Sequence, residues 1–301
     1  MKIIAFDVGG TAIKFGLVDE NFNVLFSEEF PTNTYKDTDN MVLRAMEAKL
    51  KEYEGQYDAI GISTAGQVDF ANGVIHDGVG NIPNYNHSDL RGTFEPMFNV
   101  PVAVDNDVNC AAIGEAQFGA AKGESDFLCL TYGTGVGGCI YINGDVYRGS
   151  KYAGGEFGHM ATHKDGRLCT CGRIGCYEAY AACRVFTTSV SERMGKPMNG
   201  REIFMEENLK NPIIMEEIGK WEDEIALGLR NLCYIFNPSL IVLGGGIMSE
   251  DMLIRDIREK VDAQLEPNYK HVRIEKAQLR NKAGMLGAAY LASERLKNWR
   301  K

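Results

Sequence analysis

The sequence predicts an α/β protein of two lobes, on the strength of its length, its alternation of element types and a repeated hairpin. A chain of 301 residues is too long for one small core and suits two domains of ordinary size. Segments of strand character alternate along it with segments of helical period, as in mixed α/β architectures. A strand, a glycine turn and a second strand occur near the amino terminus and again around residue 133, and aligning Gly9 with Gly133 matches strand to strand and turn to turn. This weak internal duplication implies two halves, each presenting a hairpin toward a shared cleft, although two short matches of this kind also arise by coincidence.

The first hairpin runs through Ile3, Ile4, Ala5 and Phe6, turns at Gly9-Gly10 and returns through Ile13, Phe15 and Leu17. Glycines at such a turn let backbone approach a ligand closely. From Asp39 to Tyr53, Met41, Leu43, Ala45, Met46 and Leu50 mark roughly one face of an amphipathic helix. Ala59-Ile60-Gly61-Ile62 reads as a buried strand. The apolar stretch Val100 to Val104 leads through Asp105-Asn106-Asp107 into an alanine-rich helical segment, Cys110 to Ala116. The second hairpin runs from Leu128 to Thr131, turns through Gly133, Gly135, Gly137 and Gly138, and returns from Cys139 to Ile142. Ile218, Trp221, Ile225, Leu229 and Leu232 mark a long helix that stops before Pro238, and Leu240 to Leu243 form a short strand ending at Gly244-Gly245-Gly246. A last helix, from about Met285, is expected to pack on the first lobe. With no low-complexity linker in sight, the division places residues 1–117 and 285–301 in a smaller lobe and 118–284 in a larger one.

A net charge of −9, from 32 basic against 41 acidic residues, argues against a nucleic-acid surface, which usually leaves a basic footprint. The amino terminus offers only Lys2 and a brief apolar run before Asp7, unlike a signal peptide, and no segment suits a bilayer span, so a soluble cytoplasmic protein is expected. Cys110, Cys129, Cys139, Cys183 and Cys233 are scattered through apolar or helical settings, where a small buried thiol is the ordinary reading. A disulfide framework is not expected in a reducing compartment.

The other three of the eight cysteines stand close together. His159, Cys169, Cys171 and Cys176 follow the order H-x9-C-x-C-x4-C in a glycine-interrupted loop of the larger lobe. Four such ligands fit the closed tetrahedral shell of a structural zinc better than an open catalytic one. The alternative is reduced thiols and a surface histidine in an ordinary loop.

Asp7-Val8-Gly9-Gly10-Thr11, with Lys14 three residues on, puts a carboxylate at a strand end beside a flexible turn, a hydroxyl and an ammonium. Glycine-exposed N–H groups can cradle phosphate oxygens, Lys14 can neutralise their charge and Asp7 can hold hydrated magnesium. One such turn is equally an ordinary hairpin. The further turns Gly133-Thr134-Gly135, with Gly137 close by, and Gly244-Gly245-Gly246 favour one nucleotide seen from several sides, at spacings that match neither the P-loop nor the dinucleotide fingerprint. Asp105-Asn106-Asp107 lies at a strand-to-helix junction, where α/β enzymes expose catalytic groups, although one of the two acids can serve as a helix cap instead. Glu156, His159 and Glu178 bracket the cysteine loop, and carboxylates are good partners for vicinal hydroxyls, which points to a polyol or sugar.

These residues resemble the ROK sugar kinases. Asp7-Val8-Gly9-Gly10-Thr11-Ala12-Ile13-Lys14 is similar to the family's first phosphate motif, and Asp105-Asn106-Asp107 with Asn109-Cys110-Ala111-Ala112 resembles its catalytic segment. Glu156-Phe157-Gly158-His159, Cys169-Thr170-Cys171-Gly172 and Gly175-Cys176-Tyr177-Glu178 resemble its zinc signature. The resemblance spans essentially the whole chain. It implies two α/β lobes of the actin-like, ribonuclease H-like ATPase superfamily closing over ATP and sugar, with a homodimer or larger homo-oligomer. It further implies Asp107 as general base and Gly66, Asn106, Glu156, His159 and Glu178 as sugar contacts, His159 using different ring nitrogens for zinc and sugar.

The activity so implied is ATP-dependent phosphorylation of a hexose at its 6-hydroxyl, glucose first. N-acetylmannosamine is the next candidate, because the Ser63 to Gln67 and Asp105 to Ala112 segments also resemble kinases for that sugar; fructose or a β-glucoside ranks lower. A sugar-sensing ROK regulator is the non-enzymatic alternative. Regulators usually carry an amino-terminal helix-turn-helix domain, and here the phosphate motif begins almost at Met1.

Overall fold

A nearly continuous apolar run draws the amino terminus into an antiparallel hairpin. In it β1 (Lys2–Val8) pairs with β2 (Ala12–Asp19) in a register that sets Asp7 opposite Lys14. The computed structural model describes residues 1–35, 39–77 and 82–299. Within them the chain divides into two units, residues 1–118 with 148–154 and 281–301, and residues 119–147 with 155–280.

In the first unit, β3 (Val24–Pro31) extends the hairpin at its outer edge. Helix α1 (Met41–Glu52) is capped by Asn40, whose side chain accepts from the Leu43 amide at 3.1 Å. It buries Met41, Val42, Ala45, Met46 and Leu50. Leu43, expected on that face, is half exposed because the stripe runs through Val42 at the i, i+3, i+4 spacing. Strand β4 (Ala59–Thr64) is followed by a small hairpin, β5 (Gln67–Asp69) and β6 (Val74–Asp77), then by α2 (Leu90–Phe98), β7 (Val102–Asn106) and α3 (Asp107–Phe118). The five-stranded sheet has the order β3-β2-β1-β4-β7, with β4 parallel to both β1 and β7.

The second unit repeats this topology. Strands β8 (Phe127–Tyr132), β9 (Val136–Ile142) and β10 (Asp145–Val146) form the antiparallel part. After them come α4 (Glu178–Ala181), α5 (Cys183–Met194), α6 (Gly200–Ile203) and α7 (Pro212–Phe236). Strand β11 (Leu240–Gly244), helix α8 (Asp251–Gln264) and strand β12 (Arg273–Lys276) complete the sheet order β10-β9-β8-β11-β12. The duplication read from two glycine turns is therefore a duplication of sheet topology. One detail differs: β9 starts at Val136, so Gly137 and Gly138 lie in the strand and not in the turn. A side chain at 138 would overlap Phe157 and the Gly155 carbonyl, so the glycine there answers to packing. Helix α7 buries Ile218, Trp221, Ile225, Leu229 and Leu232 and ends at Asn237 in a left-handed cap, as its spacing predicts.

Helix α9 (Ala283–Trp299) returns to the first unit and packs on α3, β4 and β1. Residues 148–154 also belong there, although the sequence division placed them in the larger lobe; the mostly covered side chain of Arg148 ties them to Asp105. None of the eight cysteines forms a disulfide, and Cys110, Cys129, Cys139 and Cys233 are buried with Cys183 half-buried. Among the described residues no helix is long and apolar enough to cross a membrane.

Candidate active site

In the first unit, the carboxyl ends of three parallel strands hold one polar cluster. Register places Asp7 beside Ser63 and Ser63 beside Asp105 on β1, β4 and β7. The Ser63 hydroxyl donates to Asp7 Oδ1 at 2.7 Å. Burial raises the Asp7 carboxyl above its ordinary value, against the opposing pull of that bond and of Lys14. Beyond β1 the chain turns at Gly9-Gly10-Thr11, closed by Gly9 N–H donating to the Ala12 carbonyl at 3.0 Å and held from outside by the Thr32 hydroxyl on the Gly9 carbonyl at 2.8 Å.

Asp107 is the first residue of α3. Its carboxyl is pushed up to about 7, first by burial and then by the charge of Asp7. Asn106 supplies the cap, its Oδ1 accepting from the Val108 and Asn109 amides at 2.9 and 3.2 Å. The capping role weighed for Asp105 or Asp107 therefore falls on the amide between them. Asn106 Nδ2 donates to the Gly66 carbonyl at 3.0 Å, which draws two of the expected sugar contacts together. Asp105 points inward, is 1% exposed and is bound by Arg148.

In the second unit, Gly133-Thr134-Gly135 links β8 to β9, and Gly244-Gly245-Gly246 follows the parallel neighbour β11, where Gly244 stands beside Thr131. These two turns thus lie at adjacent strand ends. Arg184 of α5 braces the first, its amide donating to the Gly133 carbonyl at 3.1 Å and its Nε to that of Thr134 at 3.3 Å.

Glu178 joins this turn to the cysteine loop. Its Oε2 accepts from the Val136 amide at 3.4 Å, and its Oε1 from the Thr170 hydroxyl at 2.8 Å and the Cys169 thiol at 3.1 Å. The residue before it is anchored deep in the unit: Tyr177 hydroxyl donates to the Ile225 carbonyl at 3.1 Å and lies 2.8 Å from the Tyr132 hydroxyl. Glu156 precedes a short 3-10 turn, Phe157–His159, and both Glu156 and His159 are exposed.

His159, Cys169, Cys171 and Cys176 offer ligand atoms within 4.8 Å of one another. Cys171 and Cys176 Sγ are 3.7 Å apart, and Cys169 Sγ is 3.9 Å from His159 Nδ1. A tetrahedral ion with metal–sulfur bonds of about 2.3 Å has sulfur–sulfur edges of about 3.8 Å, so the donors fit such an ion in number, kind and spacing. Nδ1 is the ring nitrogen turned to the cysteines, which leaves Nε2 for another partner.

Sequence reasoning missed several members of these clusters. Ser63 and Thr170 stand inside motifs quoted above but were given no role, and Arg184 follows the last of them by six residues, so proximity was the available signal. Arg148 had none, lying in a glycine-rich connection outside every motif.

A sequence model of the ROK family matches residues 3–295. The β-glucoside kinase of Listeria monocytogenes is 34% identical over 295 residues, spanning 96% of this chain and 97% of that protein. The glucokinase of Streptomyces coelicolor is 33% identical over 318 residues, spanning 97% of each. Among solved structures, the ROK family glucokinase of Streptomyces griseus in complex with glucose and AMPPNP matches with a TM-score of 0.85 at 32% identity, covering 98% of this chain and 100% of that one.

Proposed function

This chain belongs to the ROK family and shares the actin-like, ribonuclease H-like α/β fold of its sugar kinases, and from that premise we propose that it is an ATP-dependent hexose kinase acting on the 6-hydroxyl, with glucose as first substrate. The observation that carries the reading is Asp107, a half-buried carboxylate at a helix start whose carboxyl is pushed up to about 7, where a general base works best. The glucose and AMPPNP of the Streptomyces griseus relative support the choice of substrates.

In this reading Asp107 accepts the proton of the sugar hydroxyl as that oxygen bonds to the γ-phosphorus and the bond to the bridging oxygen breaks, releasing ADP. Gly66, Asn106, Glu156, His159 and Glu178 are the partners assigned to the sugar hydroxyls. The phosphates are held by N–H groups and side chains of Gly9, Gly10, Thr11 and Lys14, and of Gly133, Thr134, Gly135 and Gly137, with Gly244, Gly245 and Gly246 at the nucleoside end. Asp7 is the residue assigned to hydrated magnesium, which when bound neutralises phosphate charge. His159, Cys169, Cys171 and Cys176 hold a structural zinc, which when bound fixes the loop and the histidine tautomer. A cytoplasmic homodimer or larger homo-oligomer completes the proposal.

A second reading, β-glucoside kinase, is favoured by the 34% identity to such an enzyme over nearly the whole chain. A coupled ADP-release assay across glucose, N-acetylmannosamine, mannose, fructose, N-acetylglucosamine and a β-glucoside separates the two. Glucose is expected to give the highest kcat/KM. A β-glucoside in first place selects the second reading, and no sugar-dependent ADP release from any of them overturns the kinase assignment.

A further inference from the structure

Residues 148–154 leave the second unit's chain and pack into the first before Gly155 resumes. Two anchors hold them there. At one end, Arg148 Nε and Nη2 both donate to Asp105 Oδ2, at 3.0 and 2.7 Å, while the guanidinium lies 3.8 Å from the centre of the Phe70 ring. At the other, the Tyr152 hydroxyl bonds the Asp69 carboxylate and its ring stacks on His76. The Gly154 amide donates to the Arg148 carbonyl at 3.0 Å and closes the segment into a loop.

A buried ion pair is weak evidence for stability, because apolar residues of similar volume often serve as well. This pair instead has a directional consequence. With Oδ2 taken by Arg148, Asp105 turns Oδ1 toward the Asn106 amide at 2.8 Å and the Asn109 side chain at 3.0 Å. The first bond fixes the peptide that leads into Asp107, and the second fixes the opening turn of α3. Asn106, held between them, is the residue that caps the helix and reaches Gly66. Loss of the guanidinium would leave a carboxylate 1% exposed without its counter-ion and free to turn.

Resting on the kinase reading, we infer that Arg148 is a positioning residue for the base: its two-pronged bond locks the Asp105-Asn106-Asp107 turn in its working geometry. Displacement of a reacting group by about 1 Å costs about a hundredfold in rate. The effect reaches both Asp107 and Asn106, so it acts on kcat and on sugar KM. It leaves ATP KM alone, because the Gly9 turn makes none of these bonds.

The experiment measures kcat and both KM values for wild type, Arg148→Lys and Arg148→Met. Arg148→Met is expected to lose about a hundredfold in kcat/KM for sugar with ATP KM unchanged. Arg148→Lys, which keeps the charge and loses the fork, should fall between. If Arg148→Met does not fold, the lysine variant decides alone. A folded lysine variant with wild-type constants, or a loss shared equally by the two KM values, overturns the inference and leaves a structural role. Wild-type protein without sugar-dependent ADP release overturns the kinase reading itself.

Discussion

Asp107 meets two opposed demands, since a general base must be ionised to work while burial favours its neutral form. With the carboxyl near 7, kcat/KM should fall about tenfold per pH unit below that point. Asp107→Asn should lower kcat at least about a hundredfold with sugar affinity nearly kept, and a kcat within a few-fold of wild type removes the residue from this role. The same shift has a stability consequence. The folded-state value lies above the ordinary 3.8, so ionising Asp107 costs stability: the penalty is absent below about pH 4 and grows as pH rises through 7. Asp107→Asn should therefore raise Tm at pH 8 by more than at pH 4, and an equal change at both would contradict a costly ionisation of Asp107. Lys14 stands opposite Asp7 beside the first glycine turn, so Lys14→Ala should raise ATP KM far more than sugar KM; a joint rise refutes that assignment. At this scale the sequence displayed which acids and glycines mattered but not how they divide their work. That Asn106 caps α3 while Asp105 faces inward depends on Arg148, forty-three positions further along, and no local pattern carries such a contact.

Elements were more legible than residues, because period and capping are local. The α1 and α7 helices and the two hairpins follow from apolar spacing and turn chemistry alone. The start of β9 did not, because Gly137 and Gly138 look like turn residues until the Gly155 carbonyl and the Phe157 ring are brought against Gly138. The cysteine loop has little regular structure: isolated bridges join Ala161 to Cys176 and Leu168 to Ile174, a few backbone bonds such as Gly175 N–H to the Arg167 carbonyl cross it, and Glu178 and Tyr180 pin it. Cys171→Ser should therefore lose about one metal ion per chain by elemental analysis and raise sugar KM roughly 10- to 100-fold, the usual cost of freeing groups that orient a site. ATP KM should move less, because Gly9, Gly10, Lys14 and Gly133 lie outside the loop. A metal-free variant with wild-type sugar KM would mean that the cluster only braces the fold.

At the scale of the molecule, two sheets of one topology carry separate hydrophobic cores, one around Phe6, Phe15, Ile60 and Phe94 and the other around Tyr132, Tyr177, Trp221 and Leu243. The duplication was visible in sequence only at the glycine turns, since apolar strand residues are interchangeable in a core and leave no register to align. The cysteine loop connects to the second core. Tyr177 follows Cys176 directly and bonds Ile225, and Trp221 Nε1 donates to the Ala181 carbonyl at 2.8 Å, so loop, α4 and α7 form one packed and hydrogen-bonded series. Local opening follows such cooperative series more closely than it follows the chain. Metal removal should accordingly be a local event. Hydrogen exchange followed by mass spectrometry, before and after chelation, should show protection lost over residues 160–182 and reduced in the middle of α7, with β1, β2 and β4 unchanged. Equal loss of protection across the β1–β4 peptides would mean that the metal supports the whole chain and that the two cores do not open independently.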